Sequence, residues 1–337
     1  MEKVFYHIPG LFEFYDLYKA FLPLWRDHRE YFYDWCEIGS IYGAPSGCLW
    51  GGGRVGFGDA EPEKVVALVK EYGISARLTF SNSLVREEHL ADVECNALCK
   101  MFESADTGHI GGACVGAGRN SIDDNTGMNG TGNGAGLNGA EFDAGLNGAG
   151  IIVHSDLLLD YIRTKYPGFY FISSTTKVIT DFGQFVAELN RNDFRYVVPD
   201  FRLNRQIDKL STLTDAQKQK VEFLCNECCW FGCHDRKACY ENVSRKSLGE
   251  NCEDHKCVSP TAQRGYRFSD AMKNPGFIGI DDIRNVYAPA GFRHFKIEGR
   301  SLGSALILEF LLYYMTRPEH QLKVREEIYL DSSLDLF

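Results

Sequence analysis

Apolar residues recur along the chain in two rhythms that alternate. Short runs rich in β-branched and aromatic residues predict strands at 4–8, 35–39, 76–81, 151–154, 169–174, 195–199, 221–226 and 292–298. Segments with apolar positions three and four apart predict helices at 11–29, 61–72, 84–102, 156–165, 180–190, 214–220 and 301–315. Boundary chemistry agrees. Pro62 stands just inside one helix start, Ser155 is placed to cap another, and Pro167-Gly168 ends it. Nearly every strand is followed by a helix; the seventh would have to find its helix inside the long segment 227–291. Eight β-then-α units predict an α/β fold: a (β/α)8 TIM-type barrel made by residues 1–337 as a single domain, with a cysteine-rich insertion between strands 7 and 8. An open doubly wound sheet is the alternative arrangement of the same elements.

Two segments break the rhythm. Residues 107–150 hold 14 of the chain's 34 glycines and repeat Ala-Gly-Leu-Asn-Gly-Ala nine residues apart, at 135–140 and 144–149. Gly and Asn at this density bury too little apolar surface to offset chain entropy, which predicts a mobile insertion. It joins a helix to the next strand, which in a barrel places it on the N-terminal face. The segment between strands 7 and 8 leaves from the opposite, catalytic face and carries seven of the twelve cysteines, within 225–257.

Composition narrows the setting. With 44% hydrophobic and 24% charged residues the 337-residue chain is ordinary for a globular protein. The net charge of −10 disfavours a broad nucleic-acid grip, although a local basic groove could persist within an acidic total. The longest apolar run, 305–315, is interrupted by Glu309 and is too short to span a bilayer. The opening Met1-Glu2-Lys3-Val4-Phe5 lacks the pattern of a secretory signal, so a cytoplasmic location without membrane association is expected. In that setting clustered cysteines point to metal or cofactor ligation rather than to disulfides. Cys95 and Cys99, four apart on an amphipathic stretch, read as small core residues.

The strand ends, where a barrel collects its chemistry, are polar: His7, Glu37, Asn82, His154, Asp200 with Arg202, Asn226 with Glu227, and Glu298 with Arg300. Together they predict a cup for a polar or anionic ligand, with Glu298, Glu227 and His154 as acid/base candidates and Arg300 as an anion clamp. Gly51-Gly52-Gly53-Arg54 could add backbone N–H groups to an anion site. No P-loop and no His-Glu-x2-His occurs. Gly299-Arg300-Ser301-Leu302-Gly303 matches a nucleophile elbow, but only 36 residues follow Ser301 and the acid-then-His order is poorly met.

Four of the clustered cysteines could hold zinc or an iron–sulfur cluster, and spacing does not choose between them. Cys225-x3-Cys229-x3-Cys233 lacks the Cys-x3-Cys-x2-Cys spacing of a radical-SAM site. The run Phe295-Lys296-Ile297-Glu298-Gly299-Arg300, with Asn226-Glu227-Cys228-Cys229 through Cys233-x2-Arg236, resembles two motifs of the collagenase-like (PrtC-type) peptidases, peptidase family U32, as a divergent branch. The resemblance implies a barrel with a 4Fe–4S cluster at the catalytic face, here on Cys229, Cys233, Cys252 and Cys257, with Cys225 or Cys239 as substitutes and zinc as the alternative metal. It implies oxygen-independent hydroxylation of RNA or a small aromatic substrate. The alternatives are a peptidase, as the family name says, or a non-catalytic metal-binding or assembly protein. It also allows a partner subunit of the same family.

Overall fold

The computed structural model describes residues 2–52, 58–104, 148–264, 267–299 and 302–334. Eight strands form one parallel sheet: β1 Val4–Pro9, β2 Cys36–Gly43, β3 Ala76–Phe80, β4 Gly150–Val153, β5 Tyr170–Ser173, β6 Tyr196–Val197, β7 Glu222–Leu224 and β8 His294–Lys296. Their order is β6-β5-β4-β3-β2-β1-β8-β7, and a parallel bridge from Val197 to Val221 joins the two edges. The sheet thus curls into the expected eight-stranded barrel, with helices around it. The helix after β7 spans Arg236–Ser247, inside the cysteine-rich segment. The expected insertion at 107–150 falls almost wholly outside the described residues.

Period-two alternation decides which side chains enter the barrel. Outward residues such as Tyr6, Leu78, Phe223 and Phe295 join the large core beneath the helices. Inward residues stack in layers. The lowest layer holds His7, Ser40, Arg77, Glu222 and His294. Above it a smaller apolar cluster includes Tyr42, Ile152, Ile172, Val198 and Leu224. Two residues further along the strands come Ser81, His154, Ser174, Asp200, Asn226 and Glu298.

Two expected cup residues belong elsewhere. β2 runs on to Gly43 rather than ending at Gly39, so Glu37 lies near its start, where it pairs with Lys3 at 2.6 Å. His7 is in mid-strand and wholly buried, with Nδ1 2.8 Å from Ser40 Oγ and Nε2 3.2 Å from His294 Nδ1. Gly39 looks like a strand end but is a packing device. A Cβ there would come within 2.6 Å of the His7 ring, and the β1–β2 register shifts beside it. Among the described residues no helix is long and apolar enough to cross a membrane.

Candidate functional site

The C-terminal ends of the strands surround a cleft with about 60 Å³ of open space, room for on the order of four water molecules. Its floor is Tyr42, Thr79, Leu224 and Lys296; its walls are Ser81, the Ser174–Thr176 turn and Glu298; its roof is Tyr240, Val243 and Ser244 of the 236–247 helix. The lining is rich in hydroxyls. Two of them, Thr79 Oγ1 and Thr175 Oγ1, are shielded from solvent and find no hydrogen-bond partner among the described residues. Buried hydroxyls are ordinarily paired, so the partner of each would have to be water or a group bound in the cleft.

Lys296 lies two residues before Glu298 on the same face of β8. Its ammonium sits 3.7 Å from the centre of the Tyr42 ring and 3.4 Å from Glu222 below. The turn at 175–177 ties His154 to the cleft wall from behind Thr176: His154 Nδ1 is 2.8 Å from Thr176 Oγ1, which donates to Ser174 Oγ at 2.9 Å. Burial, with Lys177 and Lys237 nearby, lowers the His154 pKa to about 4, so its ring is neutral at pH 7. The turn ends at Val178 with φ 53°, a left-handed conformation that no other described non-glycine residue adopts. For a β-branched residue this costs on the order of 1–3 kcal/mol, a cost of the kind found at functional sites.

Glu298 of the cleft wall belongs to a cluster of buried charge. Arg236 is ion-paired with Glu227, hydrogen-bonded to Tyr240 at 2.9 Å and 3.7 Å from Asp200. Asp200 also holds Arg202 at 2.8 Å. Burial alone would raise the Glu227 pKa. The Arg236 guanidinium, a hydrogen bond with Glu298 and the donated Cys229 N–H instead bring it to about 2. A hydrogen bond between two carboxyl groups needs a shared proton, because two bare carboxylates this close repel. A cation can stand in for that proton. Glu227, Glu298 and the Cys228 thiol offer ligand atoms within 4.8 Å of one another, a group of three at which an ion could sit. Asn226 positions this pair, accepting from the Glu298 N–H at 2.7 Å and donating to its carbonyl at 2.8 Å.

The cysteines named from sequence are only partly gathered. The Cys229 and Cys233 thiols are hydrogen-bonded, and burial beside Glu227 pushes the Cys229 thiol up. Cys252 lies against Asn242, 3.7 Å from its Nδ2, and Cys257 is exposed. Among the described residues no three of these thiols come within 4.8 Å of one another. The donor set therefore fits a carboxylate–thiolate ion site and does not present four thiolates to a cluster. Cys225 is buried in the barrel's outer core. Arg300, Gly53, Arg54 and Ser301 lie outside the described residues. Asn82 is occupied in holding the Leu49 carbonyl at 2.8 Å and the Leu84 N–H at 2.9 Å.

Sequence reasoning missed Lys296, Thr79 and the 174–176 hydroxyls. Counting back by twos from Glu298 would have found Lys296. Arg236 stood in the quoted motif without a role, because nothing in its spacing says that it reaches Glu227.

No protein-family model and no curated protein matches the chain. Among solved structures it is similar to the U32 peptidase Mk0906, with a TM-score of 0.43 and 11% sequence identity over 89% of this chain and 94% of that one.

Proposed function

We propose that the chain is a hydrolase of the peptidase class, working at the Glu227–Cys228–Glu298 group. The observation that carries this reading is that three-ligand group itself, one member of which, Glu298, lines the hydroxyl-rich cleft. A divalent cation held there would lower the pKa of bound water and polarise a carbonyl. Glu298 would take a proton from the attacking water and return it to the leaving amine. Arg236 would keep Glu227 ionised throughout. Thr79 and Thr175, whose buried hydroxyls have no partner among the described residues, would pair with the amide groups of a bound peptide, and Lys296 would neutralise negative charge at the floor.

The test is calorimetric titration of chelator-stripped protein with Zn²⁺ and with Mn²⁺, alongside cleavage of a fluorogenic peptide library. One ion per chain, with Glu298→Gln losing at least tenfold in affinity and all cleavage, is the expected result. A folded protein that binds neither ion, or a Glu298→Gln variant that cleaves as well as the parent, would remove the proposal.

The Cys229–Cys233 contact favours a second reading, an iron–sulfur barrel that hydroxylates RNA or a small aromatic substrate without oxygen. It requires Cys252 and Cys257 to move to that pair. Iron and sulfide in stoichiometric amounts after anaerobic purification, lost in Cys229→Ala and Cys233→Ala, would favour it over the first.

A further inference from the structure

A more spacious cleft, about 310 Å³, lies on the barrel's flank, lined among others by Pro45, Cys48, Pro62, Cys95 and Met101. Inside it two cysteines far apart in sequence meet: Cys48 Sγ and Cys95 Sγ are 3.3 Å apart. Both are buried, Cys95 wholly and Cys48 at 5% exposure. Two thiols packed this closely are short of a covalent bond by little more than an ångström.

The surroundings supply the rest of a reactive pair. Cys95 stands in the first turn of the helix Val93–Ser104, and its N–H is held by Asp92 Oδ1 at 2.8 Å. The Cys95 sulfur is hydrogen-bonded to Cys48, to the Trp50 N–H and to the Asp92 carboxylate. With Cys48 and burial together holding it protonated, it is suited to the second step of an exchange rather than the first. Cys48, the one that retains some exposure, is the natural first point of attack.

We propose that Cys48 and Cys95 form a dithiol–disulfide switch operated by a low-molecular-weight disulfide such as oxidised glutathione. The Cys48 sulfur attacks one sulfur of the oxidant. A mixed disulfide forms, the oxidant's S–S bond breaks, and one thiol leaves carrying the proton lost by Cys48. Cys95 then attacks the Cys48 sulfur and expels the second thiol, its own proton passing by way of Asp92 to solvent and the departing thiolate. Two protein thiols are oxidised and one small disulfide is reduced to two thiols.

The bond would act on the strand-end cleft through its roof. Cys48 opens the short turn Leu49–Gly51, and the next residue, Gly52, lines that cleft. Ser247 of the 236–247 helix donates to the carbonyls of both Cys48 and Leu49 at 3.1 Å, and the Trp50 carbonyl accepts from the Asn82 N–H at 3.0 Å. Pulling Cys48 onto the 93–104 helix therefore shifts the groups that hold Tyr240, Val243 and Ser244 over the cleft.

The experiment is peptide mapping of the full chain after exposure to oxidised glutathione, with every remaining thiol alkylated first under non-reducing conditions. The expected product is a Cys48–Cys95 cross-linked peptide, reversed by dithiothreitol, with a higher melting midpoint and altered amide exchange across 244–248. In Cys95→Ser a glutathione adduct should accumulate on Cys48. The proposal is overturned if Cys48 and Cys95 both stay alkylatable while the exposed Cys228 and Cys257 react. It is equally overturned if Cys48 in the parent protein keeps a stable adduct and no cross-link forms. Both parent readouts need no variant, so a folding defect in Cys95→Ser leaves them decisive.

Discussion

The barrel carries two clusters of buried charge, one above the other, and a cleft lies against both, at Lys296 of the lower and Glu298 of the upper. In the lower cluster Arg77 and Glu222 are fully enclosed and ion-paired, with His7 3.5 Å from Glu222 and Lys296 closing the layer from above. Tyr170 adds its hydroxyl to Arg77 at 3.0 Å, and the ring of Tyr196 lies under the guanidinium. In the upper cluster Glu227, Glu298, Arg236 and Asp200 are also buried, yet Glu298 lines a space in which two hydroxyls, of Thr79 and Thr175, have no partner among the described residues. Burial and perturbed ionisation are common to both. What separates a support from a site is access, together with polar groups whose partners must come from outside.

That contrast can be broken in four ways, starting from the largest effect. Arg77→Met should cost about 3–5 kcal/mol in urea unfolding, because it leaves the Glu222 charge buried with only Lys296 beside it. A loss below 1 kcal/mol would show that the lower cluster does not hold the barrel.

Acid should act next. Burial, with Arg77 and other cations nearby, lowers the pKa values of His7 and His294, the latter to about 3, and His154 falls to about 4. The His154 and His294 rings are neutral when folded at pH 5 but largely protonated when unfolded, so unfolding takes up protons, and the lowered His7 acts in the same direction. Stability is therefore full above about pH 6.5 and falls as pH drops toward the folded values, by up to about 1.4 kcal/mol per ring per pH unit. Glu222, also lowered, adds a loss of the same sign below about pH 4.5. Unfolding curves that do not change between pH 7 and pH 5 would contradict the neutral assignment of these rings.

In the upper cluster Glu298→Gln should abolish ion binding while changing unfolding free energy by no more than about 1 kcal/mol, since an amide can keep the hydrogen bond to Glu227. A large loss of stability would make Glu298 a support like Glu222. The smallest effect is the most discriminating. Thr79→Val should leave stability unchanged or raise it by up to about 1 kcal/mol, because it removes a buried hydroxyl that lacks a partner. The same substitution should weaken capture of whatever peptide the parent cleaves. Destabilisation by Thr79→Val would mean that the hydroxyl has a structural partner after all.

Much of the barrel is legible in the chain because period-two and period-3.6 patterns are local. Glu298, Glu227 and His154 could be named as strand-end groups for that reason, and of these Glu298 lines the cleft. Glu37 was misplaced because of a glycine. Gly39 and Gly43 look alike as strand terminators, and only the packed structure shows that Gly39 makes room for an imidazole from the neighbouring strand. The cysteine segment shows the opposite limit. Density told that ligation chemistry belonged there, but spacing could not tell that Cys228 would face two carboxylates while Cys252 and Cys257 stood apart.

By itself, then, the order of residues determined the alternation of strands and helices, the face of each strand that turns inward, and the polar character of the barrel's upper rim, since each depends on neighbours a few positions away. The tertiary structure decided which of these groups meet. Arg77 finds Glu222 across 145 residues, Glu227 finds Glu298 across 71, and Cys48 meets Cys95 across 47. Those pairings follow from barrel closure and register, which bring distant strand ends and flanking turns within a few ångströms. Coulomb interactions and hydrogen bonds act at that range, and no local pattern encodes it.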